Sequence, residues 1–151
     1  MDDGTGSQTG DGGGAQRELM ALRASLHEAC QAHDDWPARV AAAVYSALDF
    51  AVADPDRALR LLARDGEGHG DNRAFRQTVE CLNRLLEKTV PVEGPPGGVS
   101  GSVQGIALIV SDHLRAERID GLAGIGPALV QFALQPYLGY GEAKRWASRE
   151  P

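Results

Sequence analysis

A chain of 151 residues with 42% hydrophobic and 24% charged content has the size and composition of one globular domain with one core. Its formal net charge of -6 argues against a large basic face for nucleic acid. Aromatic residues make up only 5%, which leaves the packing to aliphatic side chains and alanine.

The opening segment, MDDGTGSQTGDGGG, contains six glycines and three aspartates, with no basic or strongly apolar residue beyond Met1. It lacks the charged and apolar regions of a signal peptide. Residues 1–16 therefore read as a disordered tail, with a helical domain predicted over 17–148. From Gln16 to His33, Leu19, Leu22, Leu26, Ala29 and Cys30 recur at the three- and four-residue steps of one helix face. DDWPAR then supplies a start signal, with Asp34 or Asp35 as cap and Pro37 in the first turn. The stripe that follows (Trp36, Val40, Ala43, Val44, Ala47, Leu48, Ala51) is wide and rich in alanine, so a neighbour can approach it closely.

ADPDR repeats the signal, with Asp54 as cap and Pro55 at the first helical position. A short helix carrying Leu59 and Leu62 ends at DGEGHGD, whose three glycines force a loop. Asp71 or Asn72 caps the next helix, whose stripe is Phe75, Val79, Leu82, Leu86 and Val90, and PVEGPPGG breaks the chain again. Two more helices are predicted at roughly 100–116 and 122–138, with a last turn at 141–148. No run shows strand alternation. The predicted fold is all-α, a bundle of five to six helices.

The last two helices are unusual for their lack of charge. Gly94–Ser111 and Gly121–Gly141 contain no Asp, Glu, Lys or Arg. Neither reads as a membrane span, because Pro127, Gln131, Gln135, Pro136 and several glycines interrupt the later one and no basic cluster flanks it. Over 122–138, Leu122, Ile125, Leu129, Phe132 and Ala133 form one face, and Gly126, Val130, Leu134 and Leu138 the other. A helix apolar nearly all round must be covered on two sides, and in a chain this small the second cover is most simply a copy of itself. The predicted dimer interface is Val103, Ile106, Ile109, Val110, Ile125, Leu129, Val130, Phe132 and Leu134. A few hundred Å² buried there, at roughly 25 cal/mol per Å², stabilises the pair by several kcal/mol before association costs.

Candidate chemistry is sparse. His27, Cys30 and His33 sit three residues apart, which spreads them over a third of the helix surface and lacks a well-placed fourth metal ligand. DGEGHGDN has Arg76 where a calcium loop needs its final Glu. Ser100, Ser102 and His113 have no elbow motif or acid partner. The expectation is a protein that is not an enzyme, with no metal site and no cofactor. Cys30 and Cys81 have no CxxC partner, which fits free thiols and a cytoplasmic protein. What remains is an apolar pocket between helices. Its candidates are Trp36, Tyr45 and Phe50, then Phe75, Cys81 and Leu82, then Gln104 and His113. The low aromatic content points to a small apolar effector, aliphatic and modest in size.

DDWPARVAAAVYSALDFAVADPDRALRLL opens a long helix with an Asp-Trp pair, and LAGIGPALVQFALQPYLGYGEA runs a neutral helix into PYLG. Together these segments resemble regulators of the tetracycline-repressor (TetR) family, over about residues 17–147. The resemblance implies an effector-sensing domain that dimerises through its last two long helices, which form a four-helix bundle with their counterparts. In that family a helix-turn-helix DNA-binding domain comes first, and here its place is held by MDDGTGSQTGDGGGAQ. The chain is therefore expected not to bind DNA directly, nor a membrane. The alternative is a purely structural homodimeric scaffold without ligand.

Overall fold

A computed structural model describes residues 3–62, 73–87 and 98–149, and the side chains of 16–62, 76–84 and 101–149. Among the described residues there are seven helices and no strand: α1 Asp3–Gln31, α2 Trp36–Ala53, α3 Pro55–Leu62, α4 Arg73–Glu87, α5 Gly98–Arg115, α6 Ile119–Gly124 and α7 Gly126–Ala147. The fold is all-α, as the three- and four-residue spacing predicts. Segment 65–72, with DGEGHGDN, and Val90 lie outside the described residues.

The helix α1 starts at Asp3, so it runs through the stretch whose composition reads as a disordered tail. Each glycine there disfavours helix by about 1 kcal/mol relative to alanine. Opposing that, extending an established helix adds one hydrogen bond per residue fixed. The established part is the second half of α1, where Leu22, Leu26 and Cys30 are buried and Leu19 packs on the same core.

The turn into α2 is held by backbone and side chain together. Asp35 occupies the N-cap position in extended conformation, and its carbonyl accepts the amide of Arg39 at 3.0 Å, although its carboxylate makes no cap hydrogen bond. The Arg39 Nε donates to the His33 carbonyl at 2.8 Å, closing the loop between α1 and α2. At α3 the predicted cap is formed in full: the Arg57 amide donates to Asp54 Oδ1 at 3.1 Å, and Pro55 opens the helix. The Arg60 guanidinium of α3 holds the Glu18 carboxylate of α1 with two donors, Nε at 3.0 Å from Oε1 and Nη2 beside it.

The helix α2 runs through the middle of the molecule, touching α1, α3, α5, α6 and α7. Its residues Val40, Ala43, Val44, Leu48, Phe50 and Ala51 are buried in the main core, and Leu122, Val130 and Leu134 reach the same core fully covered. A second cluster, Val79, Val103 and Ala107, joins α4 to α5.

The chain over 119–147 departs from the predicted single helix at 122–138. It breaks at Ile125, between α6 and α7. Pro127 has no amide hydrogen to continue the ladder, and it takes the position near the start of α7 where none is needed. The predicted last turn is continuous with α7 in chain order but set off by a kink, with Pro136 inside the helix and Gly139 at φ 80, ψ 168.

The predicted dimer residues are corrected by their placement. Val103, Val110, Leu129, Val130 and Leu134 are buried in the chain's own core, and Ile106 and Ile125 are partly buried against it. Only Ile109, 36% exposed, and Phe132, 44% exposed, face outward. The reason is the breadth of the apolar arc on each helix. In α7, Leu129, Val130, Ala133 and Leu134 point inward together, so the two sides read from the sequence are covered within one chain except at Phe132.

Candidate functional site

A cavity of about 100 Å³ lies among α1, α2, α3, α4, α5 and α7. Leu22 and Leu26 of α1 close one side, and Ala58, Leu61 and Leu62 of α3 another. Thr78 and Leu82 come from α4, and Ser102, Val103, Ile106, Ala107 and Val110 from α5. The floor is α2, through Val40, Ala43, Val44, Ala47, Phe50 and Ala51, with Ala133 of α7 beyond it.

Much of this wall is alanine. A methyl group at Ala43, Ala47, Ala51, Ala58, Ala107 and Ala133 leaves space that a leucine would fill. None of the described lining side chains carries a charge, and the polar groups among them are the hydroxyls of Thr78 and Ser102, both buried. Thr78 Oγ1 donates to the Leu61 carbonyl at 3.2 Å, satisfying a carbonyl near the end of α3. The described lining is aliphatic apart from Phe50 and these two hydroxyls. It can enclose an apolar molecule.

Of the residues predicted to bind ligand, Phe50 and Leu82 line the cavity. The Arg57 guanidinium also stands 4.1 Å from the Phe50 ring centroid. Trp36 lies elsewhere, its ring edge-on to Tyr137 of α7 with centroids 4.9 Å apart. Tyr45 is pressed against Gly126 at the start of α7. His113 has its Nδ1 3.0 Å from the carbonyl of Ile109 in its own helix and its ring beside Gly121 of α6. Gln104 is exposed on the outside of α5. Cys81 is half-buried and does not line the cavity, and the side chain of Phe75 lies outside the described residues. The residues that sequence reasoning missed are Thr78, Ser102 and the alanines. Their signal was present, in small or hydroxyl side chains on the inward sides of five helices.

The thiol of Cys30 is turned into the core, where burial pushes its pKa up against the smaller opposing effect of the Arg39 charge. It lies 3.6 Å from the Arg39 carbonyl and donates to it, while His27 and His33 are exposed. The three are therefore not gathered on one ion.

The opposite sides of α5 and α7 make the second notable surface. Gly101, Gln104 and Ile109 of α5 and Ala128, Phe132 and Gln135 of α7 are all exposed. The Phe132 ring lies over Gly105, where an added Cβ would stand 2.8 Å from its Cζ. Glycine thus lets the ring rest on the α5 backbone, joining the two helices into one face that is uncharged as far as Ile109, with exposed Asp112 one turn beyond. Among the described residues no helix is long and apolar enough to cross a membrane. Comparison with protein-family models, with curated proteins and with solved structures finds no match to this chain.

Proposed function

We propose that the chain is an effector-sensing and dimerisation domain of the kind found in tetracycline-repressor-like regulators, acting in the cytoplasm and without contact to DNA of its own. One observation carries the reading: α5 and α7 serve two surfaces at once. Their inner residues, Val103, Ile106, Ala107, Val110 and Ala133, wall the apolar cavity, while their outer sides present the neutral face around Ile109 and Phe132. A second copy laid against that face pairs α5 and α7 with their counterparts in a four-helix bundle. A ligand that changes how α5 and α7 pack then changes how the two copies are set relative to each other.

The interface differs in membership from the one the sequence suggests. It is built from Gly101, Gln104, Ile109, Ala128, Phe132 and Gln135, since the larger aliphatic residues are already used inside the chain. Small and amide side chains let helices approach closely and hydrogen-bond across the seam. Sedimentation equilibrium at micromolar concentration tests the pairing. A mass of two chains is expected, and a mass of one chain at every concentration contradicts it.

A further inference from the structure

We infer that the cavity selects a neutral aliphatic molecule of about four carbon atoms and rejects carboxylates, ammonium ions and fused aromatic rings; this rests on the effector-sensing reading above. Size comes first. An apolar cavity of about 150 Å³ holds benzene, so one of about 100 Å³ has room for roughly four carbon atoms in proportion. A fused ring system does not fit without displacing core side chains.

Charge decides the chemical class. A carboxylate or ammonium drawn in among the described lining side chains loses hydration, and none of those side chains carries a charge to replace it. Leu26, Val44, Leu61, Val103 and Val110 offer aliphatic contact, and Phe50 is the one ring among the described lining residues. The buried hydroxyls of Thr78 and Ser102, on the neighbouring α4 and α5, give one region where a neutral polar end is tolerated. A short-chain alcohol matches each of these features.

The test titrates 1-butanol, butyrate and butylammonium into the full chain at neutral pH and follows the methyl NMR signals of Leu26, Val103 and Ala107. Xenon serves as an uncharged probe of the space itself. Saturable shifts with 1-butanol are expected, with a Kd on the order of millimolar. Each methylene removed from the alcohol is expected to weaken binding about fourfold, the factor that burial of one CH₂ carries. Alcohols beyond about five carbons gain nothing further, and the two ions leave the methyl signals unmoved. Ala107→Leu fills the cavity and is expected to abolish the response, with Ala47→Val as a gentler second variant should the first fail to fold.

Butyrate or butylammonium binding as tightly as 1-butanol would overturn the ligand class and leave the sensing reading in place. The same holds if xenon moves these methyls and 1-butanol does not. A butanol response that survives in a folded cavity-filling variant places the alcohol elsewhere and also overturns the class. If neither xenon nor any alcohol moves them, the effector-sensing reading itself falls.

Discussion

Tyr45 meets α7 where that helix has no side chain to offer. A Cβ added to Gly126 would stand 2.5 Å from Tyr45 Cε1 and 3.2 Å from two more ring atoms. The clash is with the body of an aromatic ring packed on the core, which has no free end to swing away. Gly126→Ala is therefore expected to destabilise the fold by about 1–3 kcal/mol, read as a lower urea midpoint at unchanged slope. Adding Tyr45→Ala should recover part of that loss, because the two changes share one contact. This pair also gives the predicted ligand contact Tyr45 a neighbour within its own chain. A polar aromatic residue on an apolar helix signals a special neighbour, and sequence does not say whether that neighbour is a ligand or a glycine on another helix. His113 and Trp36 likewise meet their own chain.

At the scale of helices, the start signals were the most legible feature, because they depend on two or three adjacent residues. Asp54 with Pro55 opens α3 as read, down to the carboxylate bond with the Arg57 amide. Breaks within an apolar run were harder. The stripe from Leu122 to Leu138 keeps helical spacing across Ile125, so only Pro127 marked the boundary. The kink in α7 is similar. Pro136 removes one ladder donor, and three residues later Gly139 adopts φ 80, ψ 168, a conformation that side chains with a Cβ scarcely occupy. An added Cβ at Gly139 meets no atom within 4 Å, so the cost of filling it lies in the backbone alone. Gly139→Ala should lower stability by about 1–3 kcal/mol, measured by thermal or urea unfolding. Restoring an unkinked helix there would swing Ala143, which is fully buried, out of the core. The alanines of α2 carry a further lesson. Their stripe reads as a surface for close approach, and Ala43, Ala47 and Ala51 also line the cavity. Small residues permit contact and permit space, and the choice is made by the helices opposite.

For the whole molecule, the missing charges of 98–111 and 121–141 were plain in the sequence, and they divide between two duties. The inward residues of α5 and α7 complete a single-chain core, which removes Val103, Val110, Leu129, Val130 and Leu134 from any contact with a partner. What is left outside is a face of glycine, alanine and glutamine carrying Ile109 and Phe132. Which apolar residue takes which side could not be read from spacing, since both sides of each helix are apolar and only the packed neighbours break the tie. On the proposed pairing, a copy of the same face covers Ile109 and Phe132, with Asp112 towards its edge. Carboxylates placed at its centre would face each other across the two-fold axis and repel. The decisive measurement is the solution mass of the Ile109→Glu, Phe132→Glu double variant beside the parent chain, with helix content followed on both. The account predicts a parent of two chains and a variant of one, equally helical, since both side chains lie outside the core. A variant that stays a dimer, or a parent already monomeric, would contradict it.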